Sequence, residues 1–227
     1  MPANRIAIVP ARAGSKGFPS KNVAILGAKP LYQIAIEQGL RLADEVIFTT
    51  DIEDIPIDDL PPRCRFVRRS PELATDDATM EHVMTELVNS LGLSSEILLL
   101  LQPTSPLRTD DDIRSALSLF NEGHHHLVAT VSEIDSNVLK SGFLSETEGT
   151  FIPLSSPDHC FSNRQDLPRL FKFNGAVFVM LAHSVTQSKG FPKHSLGAVE
   201  MPKERSLDID SAKDLEIAKK CYKIVAL

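Results

Sequence analysis

The stretch VPARAGSKGFPSKN, Val9 to Asn22, follows directly on the apolar run Ile6-Ala7-Ile8. It holds Gly14 and Gly17, the cations Arg12, Lys16 and Lys21, the hydroxyls of Ser15 and Ser20, and no acid. Glycine lets backbone N–H groups approach a ligand closely, and the cations offset negative charge, so the composition is that of a phosphate cradle. It fits neither G-x-x-x-x-G-K-[ST] nor the dinucleotide pattern G-x-G-x-x-G. Pro10 and Pro19 keep the segment out of helix, so the loop is expected to wrap its anion rather than meet it with a helix end. A solvated basic turn is the competing reading of the loop taken alone.

A second constellation lies near the other end, in SLDIDS, Ser206 to Ser211. In extended chain residues i and i+2 point the same way, so Asp208 and Asp210 aim their carboxylates at one place while Ile209 faces the core. Paired hard oxygen donors suit Mg²⁺, which commonly takes one or two carboxylates together with substrate phosphates. The rival is helix capping: Ser211 with Asp214 resembles a capping box, and Asp210 stands beside it. Capping accounts for Ser211, gives Asp208 no role, and leaves a metal role open for Asp210.

Other clusters point to structure rather than chemistry. Asp110-Asp111-Asp112 reads as ordinary acid in a helix's first turn, and His124-His125-His126 as a solvated turn behind a helix-ending glycine. His159 and Cys160 are sequence neighbours, whose side chains point apart on extended chain, which argues against a Cys–His nucleophile.

The elements that must position these residues follow from periodicity. Near-continuous apolar runs at Ile6–Val9, Glu45–Thr50, Ile97–Leu101, Leu127–Val131 and Ala176–Leu181 read as strands covered on both faces. Helical spacing marks Leu31–Leu42 beside Pro30, Thr79–Leu91 before Gly92, and Asp110–Phe120 behind Thr109. Strand and helix alternate through the first ~130 residues, which predicts a mostly parallel sheet between helices, with ligands at the carboxyl ends of its strands. Both the opening loop and QPTSPLRT, Gln102 to Thr109, leave strands at that edge. From Ser132 to Lys172 the alternation gives way to Ser, Asn, Pro and Asp. Loops above ~12–15 residues without regular structure are usually functional or disordered, and residues 132–172 are expected to be an inserted hairpin or flap.

Bulk properties set outer bounds. The 227 residues carry 42% hydrophobic and 24% charged residues and a net charge of −6, which fits one globular catalytic domain. The acid excess argues against duplex nucleic acid as a partner. No window reaches the ~20 apolar residues of a membrane span, and Met1-Pro2-Ala3-Asn4-Arg5 lacks a signal-peptide layout, so a cytoplasmic protein with no membrane partner is expected. Cys64, Cys160 and Cys221, odd in number and far apart, read as reduced structural thiols.

Five stretches, VPARAGSKGFPSKN, RRSPELATDDAT, LLLLQPTSPLRT, NRQDLPRLFKFNGAVF and ERSLDIDSAKDLEIA, occur in this order. Together, over nearly the whole chain, they resemble the acylneuraminate cytidylyltransferases, the CMP-sialic acid synthetase group. The resemblance implies a Rossmann-like three-layer nucleotidyltransferase fold and a homodimer whose inserted arm reaches across to the partner. It also implies Mg²⁺-dependent transfer of CMP from CTP to a nine-carbon α-keto acid sugar, with release of pyrophosphate. By the same resemblance Arg12, Ser15, Lys16 and Lys21 line the triphosphate with backbone from Ala11 through Gly14 to Gly17, and Lys21 and Arg12 join Asp208 and Asp210 in catalysis. Asn22, Arg69 and Ala78 face the cytidine. Gln102, Lys140, Arg164, Asn174 and Phe178 surround the sugar acid, and Asp208 and Asp210 match the metal-binding aspartates. Two departures bear on substrate: Phe178 stands where relatives specific for N-acetylneuraminate carry Tyr, and Met80 replaces a small polar residue near the base. Legionaminic, pseudaminic or Kdo-type sugars are therefore alternative acceptors. The class-level alternative is a nucleotide-binding protein without turnover, against which the intact acidic pair counts.

Overall fold

The computed structural model describes residues 4–14, 17–75, 77–146 and 149–225, and the side chains through Tyr222. Its strands are β1 (Arg5–Ala11), β2 (Ile25–Leu26), β3 (Lys29–Pro30), β4 (Glu45–Thr50), β5 (Cys64–Arg68), β6 (Ile97–Leu100), β7 (Leu127–Ile134), β8 (Gly142–Leu144), β9 (Phe151–Pro153), β10 (Leu170–Leu181) and β11 (Leu196–Glu200). The helices are α1 (Leu31–Leu42), α2 (Met80–Leu91), α3 (Asp110–Asn121), α4 (Pro157–Phe161), α5 (Ala182–Ser188) and α6 (Ala212–Val225).

Among the described residues seven strands form one sheet in the order β11-β7-β10-β6-β1-β4-β5. β1 runs parallel to both β4 and β6, β4 parallel to β5, and β7 parallel to β11, while β10 runs antiparallel to β6. Alternation along the strands builds two cores. Ala7, Val9, Val46, Phe48, Leu99 and Val177 face α1 and α3, and Ile6, Ile8, Ile47, Leu98, Leu100 and Met180 face α2 and α5. A third cluster joins Leu26, Leu31 and Ile34 to Ile209, Leu215 and Ala218, and so seats the acidic segment against α1 and α6.

Helix ends follow the sequence chemistry. Thr79 caps α2 in a reciprocal box with His82, and Thr109 caps α3 in one with Asp112. The three aspartates that open α3 are all engaged: Asp110 takes two hydrogen bonds from Arg41 of α1, Asp111 one from Arg114, and Asp112 two from Arg205.

Residues 132–172 form a compact unit separate from the remainder. Within it β8 and β9 pair antiparallel, Arg164 bonds Asp135, and Arg169 bonds Glu133. Cys160 lies 3.9 Å from the Lys140 carbonyl, while His159 meets Ser155 at 3.0 Å, so the two neighbours make no nucleophilic pair. All three cysteines are free, and burial helped by Glu45 pushes the Cys64 thiol up to about 11. Of the His triplet, His126 packs edge-on against His194; among the described residues no three His, Cys, Asp or Glu side chains are placed to share a metal ion. No helix of the described residues is long and apolar enough to cross a membrane.

Candidate active site at the strand ends

A pocket of about 460 Å³ opens at the carboxyl ends of β1 and β6. The opening loop contributes Arg12, Gly17, Lys21 and Asn22 to it, the stretch after β5 contributes Arg69 and Ala78, the loop after β6 contributes Gln102, and the acidic segment contributes Asp208 and Asp210. These nine residues span the chain from position 12 to 210 and were named from four separate stretches of sequence.

The opening loop is held by its own polar groups. The Asn22 amide, 5% exposed, donates to the Arg12 carbonyl at 2.9 Å, and the Ala13 N–H donates to Asp51 at 2.9 Å. Ser20 turns the chain at φ +57°, ahead of the short turn that presents Lys21. Gly17 has a steric reason to be glycine: a Cβ there would come within 2.9 Å of the Asp210 carbonyl oxygen, so loop and acidic segment touch backbone to backbone. Lys21 Nζ then reaches Asp210 Oδ1 at 2.7 Å. Arg12 Nη1 donates to the Thr75 carbonyl at 3.3 Å. Arg69 is buried, which lowers its pKa; Asp51 opposes that shift and Arg12 adds to it.

The acidic segment keeps the alternation expected of extended chain. Ile209 is wholly buried, its N–H donates to the Thr104 carbonyl at 2.8 Å, and the aspartates on either side are exposed and line the pocket. Asp208 retains solvent-accessible surface, yet its carboxyl lies within the concavity. The lost hydration raises its pKa, Asp210 raises it further, and a hydrogen bond from Thr104 and the charge of Lys21 oppose the rise. The cap of α6 is made elsewhere: Ser211 donates twice to Asp214 Oδ2, at 2.8 and 2.7 Å, and accepts the Asp214 N–H. Asp210 adds only its backbone N–H to that cap, so its carboxylate is left for Lys21 and the pocket. Two carboxylates in one concavity, beside a loop of cations and backbone donors, fit a divalent cation that also holds phosphate oxygens.

Other residues named from sequence lie elsewhere. Ala11 is fully buried at the end of β1, and Gly14 sits on the exposed part of the loop. Ser15 and Lys16 lie outside the described residues. Lys140 and Arg164 belong to the 132–172 unit. Asn174 does not line the pocket: its amide accepts from Thr130 (2.7 Å) and the Ala176 N–H (3.1 Å) and donates to Ser206 (3.0 Å). Phe178 is a core ring stacked on Phe191 at 5.6 Å. Met80, Val83, Pro103 and Thr104 also line the pocket. Of these Thr104 is the polar contact that sequence reading passed over, although its place two residues after Gln102 marked the loop.

This layout is that of the nucleotidyltransferase fold. Residues 6–218 match the family model described as "Cytidylyltransferase", and the chain belongs to that family. It is 34% identical to the N-acylneuraminate cytidylyltransferase of Streptococcus agalactiae serotype V over 213 residues, which are 92% of this chain and 51% of that protein. It is 27% identical to the pseudaminic acid cytidylyltransferase of Campylobacter jejuni serotype O:2, over 96% of both. The chain thus spans about half the length of the N-acylneuraminate relative. Among solved structures, CMP:2-keto-3-deoxy-manno-octonic acid synthetase complexed with CTP superposes with a TM-score of 0.69 at 15% identity, covering 98% of this chain and 99% of that one.

Proposed function

We propose that the protein transfers CMP from CTP to the anomeric hydroxyl of a nine-carbon α-keto acid sugar, N-acetylneuraminate or a related nonulosonic acid, and releases pyrophosphate. The observation that carries this reading is the convergence of Arg12, Lys21 and the Asp208–Asp210 pair on one pocket beside Gly17. In such a displacement the sugar hydroxyl attacks the α-phosphorus in line, and the protein's contribution is positioning and charge stabilisation. Gly17 and the loop backbone bring N–H donors to the triphosphate. Lys21 and Arg12 offset the charge that grows toward the leaving group, and Arg69, Asn22 and Ala78 bound the cytidine end. Asp208 and Asp210 would hold Mg²⁺, which supplies Lewis-acid stabilisation of the phosphate oxygens and lowers the pKa of the attacking hydroxyl. Gln102 faces the acceptor.

We further propose that the enzyme works in the cytoplasm as a homodimer whose 132–172 units complete the partner's sugar site with Lys140 and Arg164. Phe143, Leu144 and Phe161, at 63, 73 and 91% exposure, give that unit the apolar surface an association needs. A second acceptor, pseudaminic acid, is favoured by the match along 96% of both chains to an enzyme named for it. Pyrophosphate release measured with CTP, UTP and GTP against a panel of nonulosonic acids tests the reading. CTP-specific release with one acid supports it and names the acceptor; no release with any pair refutes it.

A further inference from the structure

Arg108 is the largest of the fully buried side chains, and the proposed chemistry makes no use of it. Burial lowers its pKa to about 9, opposed by Asp112. Asp112 gives it no direct partner: its oxygens take hydrogen bonds from Thr109 and Arg205. Arg108 Nε and Nη2 are buried without a hydrogen-bond partner. A guanidinium left in this state is expensive, and an apolar side chain of similar volume would fill the space at less cost. What the charge reaches explains its presence. Nη1 donates to the Gln102 carbonyl at 2.6 Å and to the Ala176 carbonyl at 3.1 Å, while Gln38 of α1 anchors the Arg108 carbonyl at 2.8 Å.

One of those carbonyls belongs to a residue that lines the pocket, the other to the buried part of strand β10. Gln102 opens the loop whose Thr104 bonds Asp208 and receives the Ile209 N–H. Ala176 follows Gly175, which takes φ +77° on β10 and packs beside the Gln102 side-chain amide, 3.7 Å from where a Cβ would stand. We propose that Arg108 is a positioning residue: by bonding the Gln102 and Ala176 carbonyls it locks the loop that presents Gln102 to the acceptor and, through Thr104, sets the acidic segment. The inference rests on the reading of the pocket as a cytidylyltransferase site.

Arg108→Met and Arg108→Lys test it by melting curve, steady-state kinetics and amide hydrogen exchange at Ser105 and Ile209, whose N–H groups bond the Gln102 and Thr104 carbonyls. Arg108→Met is expected to melt at or above the wild-type temperature, to lose about tenfold or more in kcat with the KM for CTP within about threefold, and to exchange faster at both amides. Arg108→Lys, which keeps a donor, is expected to recover part of each. Wild-type turnover and exchange in a folded Arg108→Met overturns the proposal. If the Met variant does not fold, Arg108→Lys decides: a native melt with wild-type kcat and exchange overturns it equally. A wild-type protein that transfers no cytidylyl group refutes the functional reading instead, and the exchange data still judge the clamp.

Discussion

Lys21 Nζ lies 2.7 Å from Asp210 Oδ1 although 189 residues separate them in the chain. The contact ties the anion-shaped loop to the acidic segment at a site where the lysine is mostly covered, 19% exposed, and the aspartate is open at 71%. An ion pair with one partner so exposed adds at most about 1 kcal/mol to stability. Its consequence is placement: an ammonium beside the pocket's acidic wall, aimed where a triphosphate would lie.

Lys21→Ala is therefore expected to leave the melting curve nearly native and to cut turnover by about tenfold or more, because a cation serving developing phosphate charge acts in the transition state. Stopped-time pyrophosphate release beside a thermal melt checks both halves. Near-normal turnover in a folded variant removes Lys21 from the mechanism.

Asp112 and Arg205 form an ion pair whose aspartate side chain is only 6% exposed and whose arginine side chain is 30% exposed. Burial by itself raises the Asp112 pKa; the hydrogen bonds from Arg205 and Thr109 more than reverse this and leave the carboxyl below its ordinary value. A depressed folded-state pKa contributes stability above the unfolded value, and that stability is lost as pH falls through the folded value. Asp112→Asn should thus lose roughly 2–4 kcal/mol at pH 7, with the gap to wild type narrowing below about pH 4. Urea titrations at both pH values give the answer; a gap that stays constant would show that the charge is not what stabilises.

Much of this was legible in the sequence because each signal was local. The runs Glu45–Thr50 and Leu31–Leu42 appear with those bounds, since continuous burial and a 3.6-residue stripe are written in side-chain type. The edge strands were not. β5 reads CRFVR, with Arg65 and Arg68 exposed, and β11 reads LGAVE with a glycine inside; edges favour charge and short length, which erases the apolar signal. The first half of β10, LFKFNG, was missed for another reason: the strand is central, between β7 and β6, but it starts in the last three residues of the polar insertion, and Lys172, Asn174 and Gly175 interrupt its apolar run. The pocket's charged residues were readable from type and spacing, whereas the tasks of Asn174 and Arg108 depend on partners 30 to 70 positions away, and no local pattern carries that.

The 132–172 unit leads to a solution measurement. With Phe143, Leu144 and Phe161 exposed on a small two-stranded unit, association through that surface is the expected remedy. Light scattering should give twice the 24.9 kDa chain mass, and Phe143→Glu with Leu144→Glu should give the single mass. The doubly substituted protein should also lose acceptor affinity, because Lys140 and Arg164 would no longer reach a neighbour's site. A fully active wild-type monomer at assay concentration sinks the shared-site model.

The acidic pair makes the most demanding test. Asp208 and Asp210 flank a buried Ile209, so both carboxylates line one concavity, where the charge of Asp210 makes ionising Asp208 costlier. CTP brings about four further negative charges to the same place, and unscreened aspartates would repel it unless a cation intervened. Ser211 and Asp214 already cap α6, so replacing either pocket aspartate removes no cap side chain. Asp208→Asn and Asp210→Asn are each expected to abolish most Mg²⁺-supported turnover with the fold intact. The double variant should be little worse than either single one, because two ligands of one ion act as a unit. Titration with Mn²⁺ in the presence of CTP, read by paramagnetic relaxation of water protons, should show the same loss of ion binding in all three. Independent, multiplying losses in turnover, or a single variant that keeps wild-type Mn²⁺ affinity, would break the shared-ion assignment and leave the two aspartates with separate roles.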